Sequence, residues 1–539
     1  MFGGNVATLV LYNGIIHTLD KDRPTVNSLV ISNGVVTYIG NDISTNLREY
    51  SDAEIIDLSG RTILPGLRDA HAHMKSFGKI DLQANLTEAQ SLEEVAEIIR
   101  EYAQKASKGE WVLGRGWNHE RWNDRSLPTH ERLSKAAPDN PVFLTRVDGH
   151  AGLVNDYALK FAKIDSNTKS PYGGLIVLGN DGPTGILVDT AMKLITDHIT
   201  EPNLDETKSI LITAQERCIA AGLVEIHDAG ISETELAAYR SMAQDGSLKI
   251  RIYAMLKRDF FETTTMTPFK IGNLSCRSVK IVSDGALGSR GAAMLEPYSD
   301  AKEESGFMLL RNDRFRTVAL KAFAEGFQVN VHAIGDKANR ITLDVIESCL
   351  KETPILEHRS RIEHAQIVSL QDIPRFKTLG IIASIQQTHC TSDMNMAEAR
   401  LGADRMKGAY PWRKFINAGV VIAGGSDFPV ENHNPLWGIY SAVTRQDHEG
   451  NPPEGWYSDE RMTINEALHS FTLGPAYASF EETNYGPLSP GKAADLVILD
   501  RDILKGDPNQ ILKTNVLATL INGKVVFNTM PELECITQT

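Results

Sequence analysis

The feature that most constrains this chain is a series of short apolar runs, separated by helical stretches, several of which end abruptly in histidine or aspartate. The runs are TILPGLRD, VFLTRV, LVEIHD, RIYAML, VKIVSD, VNVHAI, RIEHAQ, IIASIQ and VVIAGGSD. Between them lie patterns such as DRFRTVALKAFAEGF, whose apolar spacing is that of an amphipathic helix. This βα alternation predicts a parallel sheet, and right-handed crossovers would close eight such units into an α/β fold of (β/α)8, TIM-like barrel type. VFLTRV is the extra run. It lies in a turn-rich, tryptophan-containing stretch unlike a single βα unit, so it is assigned to a long insertion after the first strand, about residues 75–222.

The chain ends have a different texture. Residues 7–62 and the segments AADLVILDRD and VLATLINGKVVFN are β-rich runs, with Asn-Gly turns typical of hairpins. Neither end alone has enough strands to bury a face. The expected organisation is a small β-sandwich domain built from both termini, residues 1–62 and 485–539, around a barrel spanning 63–484.

A barrel places its chemistry at the C-terminal ends of its strands. His71 and His73 follow the first run; in extended backbone, residues two apart face the same way, so both imidazoles can aim at one point. His332, His364 and Asp427 end later runs. Taken singly, each has an ordinary reading: an exposed histidine pair, a core histidine bonded to a carbonyl, or a helix N-cap for Asp427. Together at strand ends of one barrel, they are the donor set of a divalent cation. Lys280, in SVKIVSD, is a surface or ion-paired lysine on the plain reading. As an ammonium it repels a cation, and it becomes a ligand only if its amine carries CO2 as a carbamate.

The motifs HAH, the strand lysine, NVHAIGD, EHAQ and GGSDFPVENHNPLWGIYSAVTR, in this order, resemble the amidohydrolase superfamily, more narrowly the branch that includes N-substituted formamide deformylase. The likeness covers nearly the whole chain. It implies one or two divalent ions, zinc first among the candidates, with His71, His73 and Asp427 on the first, His332 and His364 on the second, and N6-carboxylated Lys280 as bridge. The implied activity is hydrolysis of an amide, formamide or cyclic amide C–N bond by metal-activated water, with Asp427 as general base and acid. Alternatives at the same site are deamination and ester or phosphotriester hydrolysis; a non-catalytic, metal-containing regulatory or binding protein is the alternative of another class.

Further residues are expected around the pocket. Arg146, His150, Asp284, Arg290, Gln386 and Trp117 are candidate substrate contacts, and so is His389. Arg290 would clamp a carboxylate or pair with Asp284. Trp117, Trp122, His119 and Arg115 have the composition of a lid, or of the insertion's own core. Asp69, His227, Asp228 and Glu363 are expected to stand behind the ligands and orient their rings.

Composition narrows the partners. With 55 Lys+Arg against 69 Asp+Glu, the net charge is −14, which argues against nucleic acid and leaves a small-molecule substrate. No apolar run approaches membrane-spanning length. The five cysteines form no CxxC pair and are expected to be reduced in a soluble, cytoplasmic protein. A homo-oligomer is compatible with the sequence, although no interface helix declares one.

Overall fold

The computed structural model describes residues 8–43, 50 and 52–536. Its central sheet has eight parallel strands in chain order: β1 (Leu67–Ala72), β2 (Leu223–Ile231), β3 (Arg251–Lys257), β4 (Leu274–Val282), β5 (Gln328–Ala333), β6 (Arg361–His364), β7 (Ile382–Gln386) and β8 (Ile422–Gly425). Helices cover it, among them Glu233–Asp245, Asp336–Glu352 and Gln387–Met406. The first of these starts at Ser232, whose hydroxyl accepts the Glu235 N–H while the Glu235 carboxylate accepts the Ser232 N–H, satisfying two of the amides a helix start leaves unpaired.

The two ends of the sheet meet through side chain and backbone. Asp69 on β1 accepts the Ser426 amide at 3.1 Å and the Ser426 hydroxyl at 2.6 Å, and the Asp427 amide donates to the His71 carbonyl at 2.7 Å. Gly425 permits this approach. A Cβ there would lie 2.6 Å from both Asp69 Oδ1 and the His71 nitrogen, so any side chain would force β8 away from β1.

The run TILPGLRD does not form one strand. Thr62–Pro65 pairs antiparallel with Leu496–Leu499 in a separate six-stranded sheet, and the barrel begins after Gly66. A Cβ on Gly66 would sit 2.5 Å from Val224; the chain changes sheets where β2 crowds it. That six-stranded sheet also holds Ile15–His17 and Val516–Ile521, and it shares a core with a four-stranded sheet of residues 9–57 through Leu11, Leu29, Ile31, Leu496, Ile498 and Leu520. Between β1 and β2, a third sheet runs from Ala84–Asn85 to Gly182–Asp189. It contains Val142–Arg146, which is therefore not a barrel strand, and it buries its own core around Trp117 and Trp122.

Cys218, Cys276, Cys349 and Cys390 are buried and free; the Cys535 side chain lies outside the described residues. Among the described residues, no helix is long and apolar enough to cross a membrane.

Candidate metal centre

Several strand ends carry histidine, lysine or aspartate toward one region. His71 is the penultimate residue of β1 with His73 just beyond its end, Lys280 lies on β4, His332 on β5, His364 at the end of β6, and Asp427 two residues past β8. Ligand atoms of His71, His73 and Asp427 lie within 4.8 Å of one another, as do those of His364, His389 and Asp427. The shared Asp427 stands between two histidine groups. Its Oδ1 is 3.1 Å from His73 Nε2 and 3.7 Å from His71 Nε2, whereas its Oδ2 is 3.7 Å from His389 Nε2.

Three of these imidazoles are held from behind. His71 Nδ1–H donates to Glu363 at 2.5 Å, His73 Nδ1–H to the Ala229 carbonyl at 2.9 Å, and His364 Nδ1–H to Gln386 Oε1 at 2.7 Å. A ring that spends its proton this way turns the Nε2 lone pair toward the cavity. Lys280 Nζ donates to the His71 lone pair at 2.9 Å. Nε2 of His73 and Oδ1 of Asp427 face each other at 3.1 Å, and Asp427 Oδ1 and His389 Nε2 are both buried without a hydrogen-bond partner that meets full geometric criteria. Buried acceptors in that state are costly unless a cation joins them. The residues fit a divalent metal.

Electrostatics agrees. Burial works to raise the Asp427 pKa, but the His73, His71 and His364 rings hold its carboxyl well below the ordinary value. Burial, with Lys280 nearby, pushes His71 down to about 4, and burial lowers Lys280 to about 8. His332 and His364 fall well below the usual imidazole range, first through burial and then through the charges of their neighbours. Burial thus favours the neutral form of His71, His332 and His364, which is the form that binds a metal. Backbone strain gathers here too: Asp427 (φ 61°) and His364 (φ 75°) adopt the left-handed conformation that side chains disfavour.

Other expected residues do different work. His332 packs against the His364 ring at 4.5 Å, but its Nε2 faces the Gly285 carbonyl at 3.5 Å, and it joins neither ligand cluster. Gln386 does not face substrate; it orients His364. Asp284 is not paired with Arg290. It accepts the Ala293, Ile334 and Gly335 amides, and Arg290 pairs with Asp300 at 2.9 Å. Arg146 is tied to Asp148 and to Asn118. Trp117 is buried in the insertion's core, its indole N–H on the Leu144 carbonyl, so it is no lid. His150 does reach the centre: its ring lies 5.0 Å from that of His332, with Nδ1–H donated to Asp189.

Of the four residues expected behind the ligands, Glu363 bonds a ligand ring and Asp69, Asp228 and His227 do not. Glu363 orients His71 across the barrel, because alternate strand residues point to opposite faces and its neighbour His364 points elsewhere. Asp69 orients no ring; it ties β1 to β8. Asp228 accepts the Met74 amide and the Tyr239 hydroxyl, and His227 bonds to Glu225 and Arg361, beneath the ligands. His389 as a donor was not foreseen. It stands in the first turn of the helix after β7, where no strand-end pattern points.

A family model described as "Amidohydrolase family" matches residues 54–527. The chain belongs to the amidohydrolase family. This amidohydrolase is 34% identical to Protein LONG AFTER FAR-RED 3 of Arabidopsis thaliana, over 97% of this chain and 92% of that one. It is 27% identical to N-substituted formamide deformylase of Arthrobacter pascens, over 96% and 97%, in line with the resemblance carried by the motifs. Among solved structures, an uncharacterized metal-dependent hydrolase from Pyrococcus horikoshii superposes with a TM-score of 0.75 at 28% identity, covering 93% of this chain and 99% of that one. The amidohydrolase is accordingly a metal-dependent hydrolase on a TIM-like barrel.

Proposed function

We propose that the enzyme hydrolyses the C–N bond of a small amide, formamide or cyclic amide, with water as nucleophile and Asp427 as proton carrier. The observation that supports this most is Asp427 itself, a buried carboxylate kept ionised among imidazoles with one oxygen lacking any donor.

His71, His73 and Asp427 would hold one divalent cation, for which mixed imidazole and carboxylate donors favour Zn2+. His364 would hold a second, together with His332 on the sequence pattern or His389 on the geometry. Lys280, lowered to about 8 by burial, has neutral amine available near neutral pH; on taking up CO2 and releasing a proton it would become an anionic carbamate able to serve as a metal ligand. When bound, the cation supplies Lewis acidity that makes water a nucleophile at neutral pH and polarises a carbonyl. Asp427 accepts the proton of the attacking water and returns it to the departing nitrogen, since an amine leaves only once protonated. Glu363 and Gln386 keep His71 and His364 in the tautomer that faces the cavity. His150, anchored by Asp189, leaves its Nε2 for the substrate side.

The test is incubation of the zinc-loaded full chain with matched N-formyl, N-acyl and cyclic amides, beside heteroaromatic amines, esters and phosphotriesters. Release of amine and acid from the amides, lost in Asp427→Asn, is the expected result. Turnover confined to ammonia release, esters or phosphotriesters, or inertness toward every compound, would overturn the proposal.

A further inference from the structure

Among the buried and half-buried arginines around the insertion and the loop after β4, Arg115 differs from its neighbours. Arg146 pairs with Asp148, Arg290 with Asp300, and Arg400 with both Glu120 and Asp300. Arg115 has no such partner: among the described residues no carboxylate lies within 4.0 Å of it, and its one protein hydrogen bond is from Nη2 to the Val147 carbonyl at 3.2 Å. The nearby Asp148 is taken, one oxygen by Arg146 and the other by the His150 amide.

The backbone explains how Arg115 comes to be there. It lies on Val112–Trp117, a strand of the insertion whose parallel register to Val142–Arg146 shifts between Arg115 and Trp117. The extra residue is Gly116, at φ 108°, where a Cβ would meet Thr87 Oγ1 at 2.6 Å. Without this bulge, Arg115 and Trp117 would share a face of the sheet. With it, Trp117 turns into the insertion's core beside Val112, and Arg115 stays on the other face, its guanidinium beside the loop of Val147 and Gly149. Burial disfavours its charged form, while Asp427 and then Asp148 favour it, and neither carboxylate pairs with the guanidinium.

We infer that Arg115 is the substrate anchor of this site, and that the preferred substrate is an amide carrying a carboxylate a few bonds from the scissile C–N bond, as in an N-acyl amino acid. This rests on the C–N hydrolase reading and narrows it. A planar guanidinium with free N–H groups matches a carboxylate in two-pronged fashion. A neutral apolar substrate entering the same site would strip water from the cation and return nothing.

The experiment pairs N-acyl amino acids of both configurations with their carboxamides, using the zinc-loaded full chain, and follows hydrolysis. Titration calorimetry with non-hydrolysable N-sulfonyl amino acids and their carboxamides follows binding. The acid member of each pair is expected to exceed its carboxamide by about 10- to 100-fold in kcat/KM and in affinity, the range of a charge-assisted hydrogen-bonded pair. Arg115→Gln should erase that ratio, chiefly through KM, at wild-type zinc content. Arg115→Lys, a point charge without the fork, should keep part of it, and it decides the matter if the glutamine variant fails to fold. Equal handling of acid and carboxamide by the wild type, or a preference that survives in Arg115→Gln, overturns the inference. Arg115-dependent binding of the sulfonyl acids with no hydrolysis of any pair leaves the anchor standing and removes the C–N hydrolase reading instead.

Discussion

The barrel interior holds two layers of buried polar side chains that differ in how their charges are answered. In the lower layer, Arg68 pairs with Glu225 and Asp495, His227 donates to Glu225 at 2.9 Å and accepts from Arg361 at 2.8 Å, and Arg361 lies 2.8 Å from Glu363. Every charge there has an opposite neighbour. In the upper layer, one step toward the strand ends, ring nitrogens of His71, His73, His364 and His389 gather around Asp427, and Asp427 Oδ1 and His389 Nε2 lack a hydrogen-bond partner. Glu363 joins the layers: its carboxylate takes Arg361 from below and His71 from above. Buried charge alone therefore does not mark the centre. What marks it is buried charge left unanswered by the protein.

This contrast can be broken experimentally, beginning with the largest effect. Asp427→Asn, in the upper layer, should lower kcat by about 10^2- to 10^4-fold, the usual weight of a positioned proton carrier, in a chain still folded by circular dichroism. Arg361→Met, in the lower layer, should instead cost about 3–5 kcal/mol of stability in urea unfolding, because it strands Glu363 in the interior. If the two variants behaved alike, the distinction between the layers would fail. Glu363→Gln, at the joint, should weaken metal affinity by about 10- to 100-fold in competition with a chelator, with a smaller effect on folding than Arg361→Met.

Two smaller effects sharpen the picture. Metal analysis of His389→Ala against His332→Ala distinguishes geometry from sequence pattern: loss of about one ion per chain only with His389→Ala would follow the observed clusters, and the reverse would follow the motif order. The last test concerns pH. Burial, aided by Glu235, raises Asp228 to about 7, so between pH 4 and 7 the folded chain keeps a proton that the unfolded chain releases. Its contribution to stability is greatest below pH 4 and is lost as pH rises through 7. Asp228→Asn should flatten that decline in urea titrations at pH 5 and 7, and an unchanged slope would contradict it.

The barrel was legible in the sequence because strands buried on both faces are mostly apolar, so short apolar runs mark them and a polar residue ending such a run points to the mouth. His71, His73, His364 and Asp427 follow that rule. His389 does not, since it lies in a helix where neighbouring residues are equally polar. Glu363 bonds His71 and not its neighbour His364, since adjacency in sequence says little about which side chain lies across a barrel. Arg115 was grouped with the tryptophans beside it, and only the Gly116 bulge puts it on the opposite face from Trp117.

Local periodicity, turn residues and the spacing of histidines and aspartate determined the strands, their order and most of the donor atoms, because these depend on a few neighbouring residues and the alternation of a strand. Partner choice was decided only by tertiary structure. Which arginine finds a carboxylate, which histidine loses its proton to which acceptor, and which lone pairs stay unpaired depend on distances of 3 to 4 Å between segments hundreds of residues apart. At that range a one-residue bulge or a missing Cβ changes the outcome, and no local pattern encodes it.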